Sequence, residues 1–236
     1  MMGSLQAMPS CLQKVAVPEG RCGPWSVERF ALRDMPRTGA FDRGAAPAGT
    51  YTKLVHAGRG IVMSDTPDEM RDHQEVAARA HGSCLINGLG LGMILAAALR
   101  KPDVTDVTVV ELDADVIALV GPTYDDDPRL TIVHADAFTY QPPPGRRYAM
   151  VWHDIWHRIS PANLESMAAL MRKYEPIADW QGCWAEDLSI RCAAKEAASA
   201  PAAAEALLRY LQSSAQPSPR TSHMISNGAG CDGRAL

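Results

Sequence analysis

Apolar positions along the chain change period twice. From Ser26 to Leu32 they alternate (SVERFAL), and Thr50 to Ser64 reads as two more strands about a turn at Ala57-Gly58. The Gly-, Ala- and Pro-rich stretch Gly39 to Gly49 between them predicts a loop. Asp65-Thr66-Pro67 reads as a helix start, with proline in the first turn and acids following, and predicts a helix to about Ala80. Then short runs become apolar throughout: Ser83 to Gly88, Val104 to Leu112, Leu130 to His134, Tyr148 to Asp154 and Ala178 to Trp184. Helical patterns separate them at Met93 to Arg100, Asp113 to Val120 and Pro161 to Tyr174. Strands without a polar face, alternating with helices, predict a parallel sheet covered on both sides. The expected fold is an α/β doubly wound domain of strand order 3-2-1-4-5, preceded by a small β-hairpin region. Ala-rich sequence from Ala193 to Gln212 predicts two helices broken near Pro201.

These patterns divide the chain into four parts: 1–23 without a period and expected to lack stable structure, 24–64 the β-hairpin region, 65–212 the main domain, and 213–236 a tail. The tail is rich in Ser, Gly and Pro, cannot offset its ordering entropy by burial, and is expected to be disordered. No internal repeat is present.

Composition narrows the partners. With 23 Lys+Arg against 27 Asp+Glu the net charge is −4, so the summed field does not favour nucleic acid or anionic membrane. No apolar run approaches the roughly 18 to 20 residues that span a bilayer, and no signal pattern opens the sequence. A soluble, cytoplasmic protein is the expectation. The 6 cysteines are scattered without a CxxC pair, and Cys84 sits in a strand run, as a buried thiol would. The oligomeric state is open, and a homodimer is compatible with the sequence.

The chemistry concentrates between Ser83 and Leu112. A strand runs into Gly88-Leu89-Gly90-Leu91-Gly92, a helix follows, and a second strand ends at Glu111. Glycines allow a tight turn and close approach of a ligand to the backbone. A helix behind them directs free N–H groups at that ligand. An acid about 20 residues on, at the tip of the neighbouring strand, accepts protons from ribose hydroxyls. The dinucleotide fingerprint wants a glycine where this chain has Met93. Asp136 follows the third strand and Asp154 ends the fourth. An acid at position 136 suits an adenine amine, or else a turn or cap. Carboxylates gathered at one crevice suit a cationic ligand and suit a diphosphate poorly.

The string CLINGLGLG, with VTVVELDADVI, VHADAF and AMVWHDIW, resembles the class I S-adenosylmethionine-dependent methyltransferases. Within them, GRGIVMSDTPDEMRDHQEV resembles the hairpin and (Y/H)QE helix of the spermidine synthase-like branch. The resemblance covers roughly Thr50 to Trp184. It implies a Rossmann-like fold, S-adenosyl-L-methionine as cofactor, Gln74 and Glu75 beside the nucleoside site, Glu111 on the ribose, Asp136 near the adenine and Asp154 at the reaction centre. Gly88, Gly90 and Gly92 form the cradle. Two departures bear on the reaction. Leu91 stands where spermidine synthases carry an acid in the glycine loop, and Ile155-Trp156-His157 replaces their Ser/Asp-Pro. Their longer C-terminal half, which helps hold the amine acceptor, has no counterpart. Methyl transfer therefore fits better than aminopropyl transfer.

His153 and His157 flank Asp154, and either ring is a candidate base for an acceptor near a sulfonium. Trp156 could wall the cation, while Trp152 reads better as packing under the sheet. His153 and His157 are four apart, but no third ligand is evident and strand-to-loop geometry spoils the spacing, so no metal is expected. Arg71-Asp72-His73 reads as a solvated helix face. Neither an NPPY-type tetrapeptide nor a Pro-Cys nucleophile is present, and no basic-aromatic cluster marks a polynucleotide surface. The expected activity is methyl transfer to a small-molecule acceptor. Aminopropyl transfer, hydride transfer with a nicotinamide cofactor, and a nucleoside-binding module without turnover remain as rivals.

Overall fold

The computed structural model describes residues 12–33, 47–198 and 201–214. The predicted tail beyond 214, most of the Gly39 to Gly49 loop and the first 11 residues lie outside the described residues.

Two sheets organise the chain. The first is antiparallel, in order β1 (Gly20–Cys22), β2 (Trp25–Leu32), β3 (Gly49–His56) and β4 (Gly60–Ser64). The turn expected at Ala57-Gly58 joins β3 to β4, and a bulge between Leu54 and Val55 shifts their register. The second sheet is parallel throughout, in order β7 (Leu130–His134), β6 (Val104–Glu111), β5 (Gly82–Asn87), β8 (Met150–His153) and β9 (Gln181–Cys183). In chain order that is 3-2-1-4-5, the doubly wound arrangement expected from the alternating pattern.

Strand β5 shows why the apolar runs had no polar face. Cys84 and Ile86 pack into the larger core with α3 (Met93–Leu99), while Leu85, on the other face, meets Val110, Val151, Leu170 and Tyr174. The last two come from α5 (Asn163–Tyr174). Helices α6 (Glu186–Ala197) and α7 (Pro201–Ser214) close over α5 through Ala193 and Tyr210. Pro201 opens α7, where its missing N–H costs nothing.

Two expectations about the N-terminal half change. From Leu12 onward the chain is ordered against the first sheet, with Leu12, Val15 and Val17 buried. Its anchor is Asp65, fully buried, whose carboxylate accepts N–H bonds from Val15 (3.1 Å) and Thr52 (2.6 Å). Arg29 adds a bond to the Val17 carbonyl (3.0 Å) and Lys14 one to the Thr50 carbonyl (2.8 Å), so the segment is fixed by distant partners that local periodicity could not reveal. Asp65→Ala strands both buried donors and is expected to lower stability by about 3 kcal/mol in urea unfolding. An unchanged midpoint would refute the anchor.

The single helix expected from Pro67 to Ala80 is two, α1 (Pro67–Asp72) and α2 (Gln74–Arg79), divided at His73. The backbone N–H of His73 and its ring Nδ1 both use the Glu69 carbonyl, at 3.2 and 2.7 Å.

Candidate functional site

The carboxyl ends of β5, β6, β7 and β8 meet at one edge of the parallel sheet. Strand β5 ends at Asn87, and the chain turns at Gly88 with φ +102°. A Cβ there would overlap the Asp154 carbonyl, so glycine is required both by conformation and by the approach of the β8 backbone. At Gly92, with φ +75°, a Cβ would run into the Tyr124 ring, whose hydroxyl donates to the Leu91 carbonyl (2.9 Å). Gly90 faces the sulfur of Met63. That thioether, carried on β4, accepts the Leu91 N–H at 3.3 Å. The antiparallel sheet thus caps the glycine loop.

Glu111 ends β6 with both oxygens on backbone donors: Leu89 N–H at 2.7 Å and Asp113 N–H at 2.9 Å. Burial pushes its carboxyl above the ordinary range, against the pull of those donors. Each oxygen keeps a second lone pair for a hydroxyl proton. Asp154 donates its backbone N–H to the Asn87 carbonyl (2.8 Å), which ties the two strand ends together. Asp136 lies two residues past His134, the register partner of Glu111. Its Oδ1 caps its own turn at the Phe138 N–H (2.8 Å), so the turn role is visible here. Lys173 clamps that turn by donating to the carbonyls of Ala137 and Phe138 at 2.9 and 2.8 Å.

Beside each acid an apolar side chain lies open to solvent: Leu112 is 66% exposed, Phe138 39% and Ile155 38%. Exposed large apolar groups at a crevice mouth are informative in a way that scattered ones are not. The sequence signal was present, since each stands one or two residues after an acid. Beneath the loop, Met63, Gly88, Leu89, Met93, Trp152 and Asp154 line a cavity of about 10 Å³, room for one water.

Three residues expected at the site have other contacts in the structure. Gln74 and Glu75 lie on the exposed face of α2, and Glu75 pairs with Arg79 at 2.9 Å. His153 is fully buried, facing away from the crevice toward Tyr174. The Asn87 amide donates to its Nδ1 (2.8 Å), and its Nε2 donates to Gln181 Oε1 (3.3 Å). Burial lowers its pKa to about 4. A ring so enclosed does not open onto solvent.

The residue overlooked is His73. Read as a solvated face, it is fully buried, and its Nε2 meets Asp154 Oδ2 at 2.8 Å. Both ring nitrogens face acceptors, the Glu69 carbonyl and the Asp154 carboxylate, so the ring is satisfied as an imidazolium. Burial pulls its pKa down, but the Asp154 hydrogen bond and charge overcome this and raise it from 6.5 to about 9. Trp152 packs edge-on to it at 6.2 Å and stacks on Trp180 at 6.3 Å. Burial also raises Glu69 from 4.5 to about 7, opposed by the His73 charge. The first letter of the (Y/H)QE string was the available signal.

Both folded values lie above the ordinary ones, which fixes the sign of a pH effect. Glu69 contributes stability below pH 4.5 that is lost as pH rises through 7. His73 contributes stability below pH 6.5 that is lost through 9. Urea unfolding across this range is expected to show the wild-type advantage over His73→Gln shrinking between pH 6.5 and 9. An advantage that grows with pH would contradict the imidazolium.

No family model matches the chain. Polyamine aminopropyltransferase 1 of Streptomyces coelicolor is 34% identical over 110 residues, which is 41% of this chain and 20% of that protein. The chain therefore spans about a fifth of the length of the curated relative it matches. Among solved structures, the N-methyltransferase NodS of Bradyrhizobium japonicum aligns with TM-score 0.38 at 10% identity, covering 47% of this chain and 62% of that one. The CcbJ methyltransferase of Streptomyces caelestis aligns with TM-score 0.35 at 19% identity, covering 44% and 41%.

Proposed function

We propose that the protein binds S-adenosyl-L-methionine and transfers its methyl group to a small-molecule acceptor. One observation carries the reading: the Glu111 carboxylate accepts from the glycine loop at the Leu89 N–H, the main chain of Asp154 closes on the same loop at Gly88, and each acid is followed by an exposed apolar side chain. That pairing of acids with apolar surface suits a flat base, a ribose and a positive centre together. Glu111 accepts from the ribose hydroxyls, and Leu112 and Phe138 offer apolar faces to the base. Asp136 faces its amine, and Asp154 faces the cation. The cavity under the loop is too small for this ligand, which belongs at the open mouth.

The bound cofactor supplies an activated methyl group on a sulfonium. Gly88, Gly90, Gly92 and Glu111 would hold that cofactor, with Asp154 beside its positive centre. The protein's share is alignment. His73 holds the Asp154 side chain oriented through its Nε2, and the Asp154 carboxylate takes the acceptor's proton.

Aminopropyl transfer stands as a second reading, favoured by the partial identity to the polyamine enzyme and by His73-Gln74-Glu75. Leu91 in the loop speaks against it. Cell extract incubated with protein and trideuteromethyl-labelled S-adenosylmethionine separates the two. A metabolite gaining the labelled methyl supports the first reading. Product formed only from the decarboxylated donor would replace it. Glu111→Ala is expected to weaken nucleoside binding by about 1.5–3 kcal/mol, the range for hydrogen bonds to a charged group. An unchanged dissociation constant would remove Glu111 from the ribose.

A further inference from the structure

The antiparallel sheet reaches the nucleoside site at a second place besides Met63. Its β1–β2 turn sits over the start of α4 (Ala114–Val120). There Cys22 Sγ donates to Asp115 Oδ1 at 3.2 Å, and a Cβ on Gly23, at φ +52°, would overlap the Asp115 carboxylate. Trp25, the first residue of β2 and 5% exposed, donates its indole N–H to Asp113 Oδ2 at 2.6 Å. The other oxygen of Asp113 caps α4 by accepting the Asp115 N–H at 3.0 Å. With its side chain held from both sides, the Asp113 backbone is fixed, and its N–H aims at Glu111 Oε1 (2.9 Å). The second oxygen of Glu111 meets the glycine loop at the Leu89 N–H (2.7 Å).

We propose that Trp25 is a positioning residue of the nucleoside site, acting through Asp113 to hold the Glu111 carboxylate where it meets the ribose. The chain of bonds runs from the indole through one carboxylate to a second, and ends on the loop that cradles the ligand. The donor at its head is a charge-assisted one, of the stronger kind. It comes from a sheet 88 residues upstream, so the antiparallel region takes part in binding as well as in covering the core. The inference rests on the reading of Glu111 as the ribose acceptor.

Trp25→Phe tests it, because phenylalanine keeps a ring against His56, where the indole stacks edge-on at 4.8 Å, and removes the N–H together with part of the ring volume, a loss of volume that the control shares. Trp184→Phe is the control, since the buried indole N–H of Trp184 has no hydrogen-bond partner among the described residues. Calorimetry with S-adenosylhomocysteine is expected to show about a 3- to 10-fold loss of affinity for Trp25→Phe and none for Trp184→Phe. Carboxyl-carbon NMR titration of Glu111 without ligand is expected to move upward in Trp25→Phe only, as its Asp113 donor loosens. Wild-type affinity in Trp25→Phe with an unmoved Glu111 titration would overturn the proposal. Failure of the wild type to bind S-adenosylhomocysteine would instead overturn the ribose reading, and the Glu111 titration would still decide the relay.

Discussion

Asp154→Ala is expected to abolish group transfer and to lower stability by about 3–5 kcal/mol near neutral pH, the range for breaking a buried ion pair from one side. The cost comes from His73. Its ring has no exposed surface, and without Asp154 its Nε2–H has no acceptor. Either an unpaired imidazolium stays buried or the ring gives up its proton, and each outcome forfeits what the pair supplied. The pH dependence distinguishes this from simple loss of packing. Above pH 9 the wild-type ring is itself neutral, so the gap between wild type and variant narrows there. Asp154→Asn retains an acceptor of the same shape. It is expected to recover much of the stability and none of the turnover. Urea unfolding at pH 7 and pH 10 checks the first statement, and a gap independent of pH would count against the ion pair.

Gly88→Ala is the second substitution of large effect. Two penalties add. A positive φ near +100° strains any residue with a Cβ, by about 1–3 kcal/mol. The new methyl also overlaps a backbone carbonyl, that of Asp154, which no side-chain rotation can relieve. Strands β5 and β8 must separate at their carboxyl ends, breaking the Asp154 N–H bond to Asn87. A loss of about 3 kcal/mol or more is expected, together with loss of nucleoside binding. Gly145→Ala gives a useful contrast. That residue shares a positive φ of +76° but has no neighbour among the described residues within reach of a Cβ, so only the strain remains. Equal stability of the two variants would show that the close approach of β8 to the loop is not what selects glycine at position 88.

Much of the parallel sheet could be read directly. Runs such as SCLIN and VTVVE are apolar on both faces because both faces are covered, and each ends at a glycine or an acid that marks the crevice. The same uniformity hid the fate of His153. In a strand without a polar face, alternation does not say which side a polar residue takes. Position 153 follows Val151 to the enclosed side with Tyr174, while Trp152 turns toward His73. His73 was hidden for the opposite reason. It lies in a wholly polar stretch, RDHQE is indistinguishable from a solvated face, and its partner is 81 residues away. Gln74 and Glu75 were singled out by motif, but on a helix adjacent residues do not share a face, and only His73 turns inward. The order beginning at Leu12 was likewise set by distant partners, Asp65 and Arg29 among them.

The central claim is that the crevice framed by the glycine loop, Glu111 and Asp154 takes an adenosyl sulfonium. Calorimetric titration of the wild-type protein with S-adenosylmethionine, with NAD run alongside, tests it most directly. Saturable one-site binding of S-adenosylmethionine that weakens in Glu111→Ala is expected, with no binding of NAD. Saturable binding of NAD in the absence of any S-adenosylmethionine signal would contradict it.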